Sequence, residues 1–149
     1  MQTNSRLNQA WWTLRIGLGL GPLFAGLDKF FNLLTNWDMY LNPIIPRLLH
    51  VSPATFMHFV GVVEIAAGLL VLSRFTRYAA YIVMAWLLAI AASLVAQGMF
   101  LDLAVRDIEI SLGAFALAKL TEVRGLAFLS SGSATNHVMS PADAAHHRA

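Results

Sequence analysis

"LDLAVRDIEISLGAFALAKL", residues 101–120, has the length and apolar content of a membrane-crossing helix, yet it carries Arg106, Asp107 and Glu109 in its first half. A spanning helix needs roughly 17–25 mainly apolar residues, so the stretch is long enough to cross. A charge turned toward lipid is costly, whereas one turned toward other helices can pair or line a wetted cavity. The stretch therefore predicts an inward-facing polar cluster inside an otherwise oily bundle.

Three further windows of the same kind precede it. The spans are expected at 11–34, 55–72, 78–96 and 103–120, separated by Asn36, Pro43, Pro46 and Pro53, by "SRFTR" and by "QGMFLD". Proline, glycine and charge interrupt helices at those points. Composition agrees, with 58% hydrophobic and only 12% charged residues in 149 and a mean hydropathy of +0.63. An ordinary soluble domain carries about 25% charged residues. The expected fold is all-α: an integral membrane four-helix bundle over residues 1–124, followed by a flexible polar C-terminal tail at 125–149. The first apolar run outlasts a signal-peptide core and shows no clear small-residue cleavage site, so it is expected to be a retained span.

Cytoplasmic loops of membrane proteins are enriched in Lys and Arg. Arg6, Arg15, Arg74, Arg77, Lys119, Arg124 and Arg148 fall on one side of four spans, and Lys29, Arg47 and Arg106 toward the other. Both termini are accordingly expected in the cytoplasm. Trp11 and Trp12 would mark the inner boundary and Trp37 with Tyr40 the outer one. The connection at 35–53 is expected to hold a short interfacial helix.

Several function classes drop out. The net charge of +2 is spread over loops and ends, with no basic patch for nucleic acid. The chain has no cysteine, so it offers no disulfide, no iron-sulfur ligation and no redox thiol. "GLGLGP" lacks the spacing and the preceding strand of a dinucleotide loop. His58 stands alone near a span, which does not suit a bis-histidine haem, and Ser111 has no histidine base. No haem, iron-sulfur cluster or metal is expected.

Turning each helix by about 100° per residue places Arg15, Gly19, Pro22, Gly26 and Lys29 on one face of the first span, and Gly61, Glu64 and Gly68 on one face of the second. On the fourth, Asp102, Arg106, Glu109 and Gly113 align, with Asp107 on an adjoining face. Ala85, Ala89, Ala92 and Ala96 offer a packing stripe on the third. Counting rise per residue, the ionisable groups converge on the outer half of the bundle with Glu64 as the floor. Lys29 and Arg106 are thus set against Asp28, Glu64, Asp107 and Glu109. Such a network can tie helices in register, or it can be a ligand or proton site.

"RIGLGLGPLFAGLDKF", "GVVEIAAGLLVLSRFTRYAA" and "RDIEISLGAFALA" resemble the DoxX-like family of small four-helix membrane proteins, over residues 10 to 120. The resemblance implies a bacterial cytoplasmic (inner) membrane protein connected with respiratory or sulfur redox chemistry. One branch is similar to the membrane subunit of a thiosulfate to quinone oxidoreductase, and others are associated with oxidative-stress complexes. Lys29, Glu64, Arg106 and Asp107 fall at polar positions of the family-like segments.

Three functions compete on these residues. In the first, a redox-associated subunit binds a quinone or similar amphipathic molecule, held by Lys29, Arg106 and Asp107, while Glu64 and Glu109 exchange protons. It would be an enzyme only as part of a quinone-linked oxidoreductase, since the chain supplies no redox centre. In the second, the chain is a non-catalytic accessory subunit, packed with membrane lipid against a larger respiratory complex or its own copies. The third is a small transporter or cargo adaptor, for which broken helices or a repeat are missing.

Overall fold

Helices follow the punctuation of the sequence. The structure, a computed structural model, describes residues 2–137, with side chains for residues 5–125. It contains α1 (Gln2–Asp28), a 3-10 turn (Trp37–Tyr40), α2 (Ile44–Leu49), α3 (Pro53–Leu72), α4 (Thr76–Gln97) and α5 (Leu101–His137), and no strand among the described residues. Ser52 caps α3, its hydroxyl accepting from the Thr55 amide at 3.1 Å, with Pro53 at the first turn where a missing N–H costs nothing. Gly98 ends α4 in the left-handed conformation, φ 66°, where a side chain would be strained.

Two boundaries differ from expectation. The first helix was expected to reach residue 34 but stops at Asp28, whose carboxylate draws the following chain back on itself. Asp28 Oδ1 accepts from the amides of Leu33 at 2.9 Å and Leu34 at 3.2 Å. At the other end α5 does not stop near 120 but continues to His137, into the segment expected as a flexible tail; residues 138–149 lie outside the described part.

The four long helices pack as two pairs, α1 on α3 and α4 on α5, with α1–α5 and α3–α4 contacts joining them. Glycine sets the first pair. A Cβ on Gly26 would lie 2.6 Å from the Gly61 carbonyl oxygen, one on Gly61 would lie 2.7 Å from that of Gly26, and one on Gly68 would lie 2.5 Å from that of Gly19. Gly19 meets Gly68 and Gly26 meets Gly61, so α1 and α3 run antiparallel and touch backbone to backbone. Small residues also set the second pair: Ala79 and Ala80 of α4 share a core with Ala114, Leu117 and Ala118 of α5. Farther along, Ala91 and Leu94 meet Ala104, which makes that pair antiparallel too.

Two expected faces are rotated. The buried face of α5 is Ala104, Asp107, Ser111, Ala114 and Ala118, so Asp107 points inward while Arg106 and Glu109 are exposed. Small side chains allow helix approach and charged ones resist it, so the alanines select the contact face. On α4 the stripe Ala85, Ala89, Ala92 and Ala96 is exposed, because Ala79, Ala80 and Ala91 fit the partner helix instead. Helices α3 and α4 are long and apolar enough to cross a membrane.

The end of the bundle bearing Arg15 is held by polar ties. Arg15 caps the C-terminus of α3, donating to the carbonyls of Val71 at 3.2 Å, Leu72, and Ser73 at 2.8 Å, where helix carbonyls lack partners and carry partial negative charge. Trp11 Nε1 donates to Thr121 Oγ1 at 2.8 Å, linking α1 to α5. Glu122 receives Lys119 at 3.1 Å, the Tyr81 hydroxyl at 2.9 Å and Arg77 at 3.2 Å. The Lys119 ammonium and the Tyr81 hydroxyl hold the Glu122 carboxyl below the usual carboxylate range.

Three expectations can be measured by thermal unfolding in detergent. Gly61→Ala should lose about 1–3 kcal/mol because its methyl group meets backbone. Gly17→Ala, at a position with nothing within 4 Å, should be neutral or gain up to about 1 kcal/mol from helix propensity. For Glu122, a folded pKa below the unfolded one means that its contribution is full above the unfolded value and disappears as pH falls through the folded one. The melting temperatures of the parent and Glu122→Gln should therefore differ at neutral pH and converge in acid.

Candidate functional site

The glycine contact between α1 and α3 delivers the two charges that meet in the interior. Lys29 follows Gly26 by three residues and Glu64 follows Gly61 by three. Because the helices are antiparallel, those offsets lead in opposite directions, and the lysine's length bridges the gap. Its stem crosses the bare Gly61, where an added Cβ would be 3.2 Å from Lys29 Cβ. Lys29 Nζ then reaches Glu64 Oε2 at 2.6 Å. Only 4% of Lys29 is exposed, so this is a desolvated, charge-assisted bond.

Trp37 closes the site from the connection between α1 and α3. Its ring lies under the ammonium, with Lys29 Nζ 3.7 Å from the centroid, a cation–π contact. Its indole Nε1 donates to Asp28 Oδ2 at 2.8 Å. Trp37 is thus folded over the lysine, and Asp28 serves as the post that holds the loop. Tyr40 follows in the same turn, its hydroxyl 3.3 Å from Thr35 Oγ1.

Across the interior, α5 supplies Asp107, which is 3% exposed and lines the same cavity as Glu64. Arg106 bonds it through Nε at 3.1 Å and Nη2 at 2.9 Å, both to Oδ1. The arginine side chain itself remains 54% exposed. Glu109, one turn on, is exposed and lies outside the cavity wall.

These groups share a cavity of about 810 Å³ walled by α1, α3, α4, α5 and the 3-10 turn. Lys29, Trp37, Tyr40, Glu64, Arg106 and Asp107 are among its polar lining. Leucine, isoleucine and valine side chains line much of the rest. The volume is within the range of about 300–1,000 Å³ typical of small-molecule sites. Gly17 and Gly21 line it too, and neither would meet anything with an added Cβ. The alternating glycines of "GLGLGP" thus have opposite uses: Gly19 faces α3, while Gly17 and Gly21 leave the cavity wall as bare backbone.

Trp86, which the sequence offered with Phe24, Phe30 and Phe31 as apolar surface for a ring or tail, lines the cavity, and its Nε1 is buried without a hydrogen-bond partner. A tryptophan in an apolar run gives no sign of whether its N–H will be satisfied. Among the described residues, no three His, Cys, Asp or Glu gather in a metal-holding group. His58 is exposed and stacks on Phe30, centroids 4.9 Å apart. A second hollow, of about 640 Å³, lies against α2 by Arg47 and His50, away from the buried charges.

Among the curated proteins and the solved structures, nothing matches the chain. A family model described as DoxX matches residues 10–98, which takes in most of α1, the connection that follows it, α3 and α4 with Lys29, Trp37, Glu64 and Trp86. Covering more than half of the sequence, that match makes the chain a member of the DoxX family of membrane proteins.

Proposed function

We propose that the chain crosses a bacterial cytoplasmic membrane four times, with both termini inside, and binds a quinone or similar amphipathic molecule as a redox-associated subunit. Four long helices alternating in direction support the topology, because an even number of crossings returns the chain to its starting side. The excess of arginine near Arg15, Arg74 and Arg77 supports the orientation. Arg15 in α1 and Arg106, Asp107 and Glu109 in α5 interrupt the apolar runs of those two spans.

The ligand reading rests on one observation, the desolvated Lys29–Glu64 pair inside a largely apolar cavity. A flat carbonyl-bearing ring with an oily tail matches those two surfaces. Lys29 Nζ and the Trp86 N–H are donors for carbonyl oxygens, and Glu64, held by Lys29, is placed to take or give a proton at such an oxygen. Arg106 and Asp107 form the facing polar edge. Electron transfer belongs to a partner protein, since this sequence has no thiol or cluster ligand. A subunit that packs against other membrane proteins is the second reading, favoured by the charges left on the outer face of α5.

Mild-detergent purification followed by lipid extraction and mass spectrometry should find quinone with the parent protein. Glu64→Gln and Lys29→Met should each reduce its retention about tenfold or more, as loss of a charged hydrogen bond predicts; equal retention in both variants, or none in the parent, would remove the ligand assignment. Each single variant strands a buried charge and should cost about 3–5 kcal/mol of stability, whereas the double variant should recover much of that. Quinone binding should stay lost in the double variant, separating the pair's structural from its ligand-binding role. Trp86→Phe removes an unpaired donor worth about 1–3 kcal/mol of desolvation, so the ligand-free variant should melt no lower than the parent.

A further inference from the structure

The interior cavity is open along one seam of the bundle. Of its lining residues, Thr13, Gly17 and Gly21 of α1 and Arg106 and Ile110 of α5 are exposed, whereas on α3 and α4 only Ala89 is. The α3–α4 side is shut where Met57 and Val60 pack with Trp86. The α1–α5 side is closed toward the Arg15 end, where Trp11 bonds Thr121 and a Cβ on Gly113 would lie 3.9 Å from Leu14 Cδ2.

Those two contacts set α1 and α5 antiparallel, and counting in opposite directions from Leu14 and Gly113 brings Gly17 level with Ile110 and Gly21 level with Arg106. A Cβ added to either glycine would meet nothing within 4 Å, so the α1 edge is bare at those levels. At about 100° per residue, Gly17 and Gly21 adjoin Leu20 and Phe24, which are exposed. On α5, Arg106 adjoins the exposed Glu109 in the same way. The cavity wall therefore passes onto the outward faces of both helices without a break, which makes it a slot. Gly17 and Gly21 follow the exposed Trp12 by five and nine residues, about 8 and 14 Å along the helix. In the proposed topology that depth is hydrocarbon, so the slot opens on acyl chains.

We propose that this slot is a lateral doorway: a ligand with a polar head and one long apolar tail enters from the bilayer between α1 and α5, seats its head at Lys29 and leaves its tail across Gly17 and Gly21. Drawing such a tail through a water-facing mouth would expose every methylene to water, whereas a tail in the slot never leaves apolar surroundings. The two glycines give it a track of bare backbone, faced by Ile110. Arg106 stands at the mouth, since it lines the cavity while its side chain is 54% exposed. Its Nε and Nη2 are bonded to Asp107, which holds the guanidinium at the edge that an entering head passes. The doorway rests on the topology and ligand reading proposed above, and it narrows the ligand to molecules dissolved in the membrane.

Gly17→Phe with Gly21→Phe, made in the full chain, fills the slot without touching the charged groups, and Leu20→Phe on the neighbouring outward face is the control. Ala67→Cys, on the α3 wall of the cavity, reports entry in a chain that has no other cysteine. In proteoliposomes, a membrane-soluble maleimide should label that cysteine on the order of tenfold more slowly in the filled background than in the parent or Leu20→Phe backgrounds. Retention of a benzoquinone bearing a decyl tail should fall about as far. Because the added rings enter open space, the filled variant should melt no lower than the parent; if it does, Gly17→Leu alone supplies a smaller block with the same ordering. Where the parent holds the quinone, either readout left unchanged by filling overturns the doorway and leaves the ligand reading standing. A parent that holds none overturns the ligand reading, and the seat of the tail with it.

Discussion

Backbone-to-backbone contact between α1 and α3 is the constraint on which the interior depends. With side chains at Gly26 and Gly61 the helices would stand apart, and the lysine that starts beyond one could not reach the glutamate beyond the other. The close approach therefore fixes the geometry of the ion pair as well as the helix packing. A buried pair is weak as a source of stability, because desolvation of both charges offsets their attraction. Its value here is positional: it keeps two strong hydrogen-bonding groups at one end of an apolar space.

The connection between α1 and α3 completes this arrangement through a relay of short contacts. Asp28 stops α1 and gathers the loop amides, the same carboxylate anchors the Trp37 indole, and the Trp37 ring covers the Lys29 ammonium. One carboxylate thus ends a helix, folds a loop and shields a cation. The neighbouring core of Leu41, Met57 and Val60, with Trp86 packed on it, ties the turn to α3 and α4. At the opposite end Arg15 satisfies the last carbonyls of α3, so a charged residue in the first apolar run completes another helix.

Much of this was legible in the sequence where glycine and charge recur together. The spacing of Gly19, Gly26 and Lys29 against Gly61, Glu64 and Gly68 marked the α1–α3 face and placed its two charges on it. Helix α5 was harder because charge dominated the reading of its faces. Ala104, Ser111, Ala114 and Ala118 carried the packing signal, and they put Asp107 inside and Glu109 outside. Alanine also misled on α4, since a smooth stripe suits lipid as well as a neighbouring helix. Nothing in the pattern foretold that Trp37 would turn inward, which depends on the loop amides finding Asp28. The cavity itself is a property of three dimensions, set by helix separations that no single face encodes.

The bare stretch of α1 at Gly17 and Gly21 has a mechanical consequence. Between them, the Gly19 carbonyl lies against Gly68, with the Leu72 side chain packed directly on Gly19. There α1 and α3 together make up one wall of the cavity. A slide of α3 along α1 would therefore reshape that wall, and a molecule wedged against it would push back on both helices.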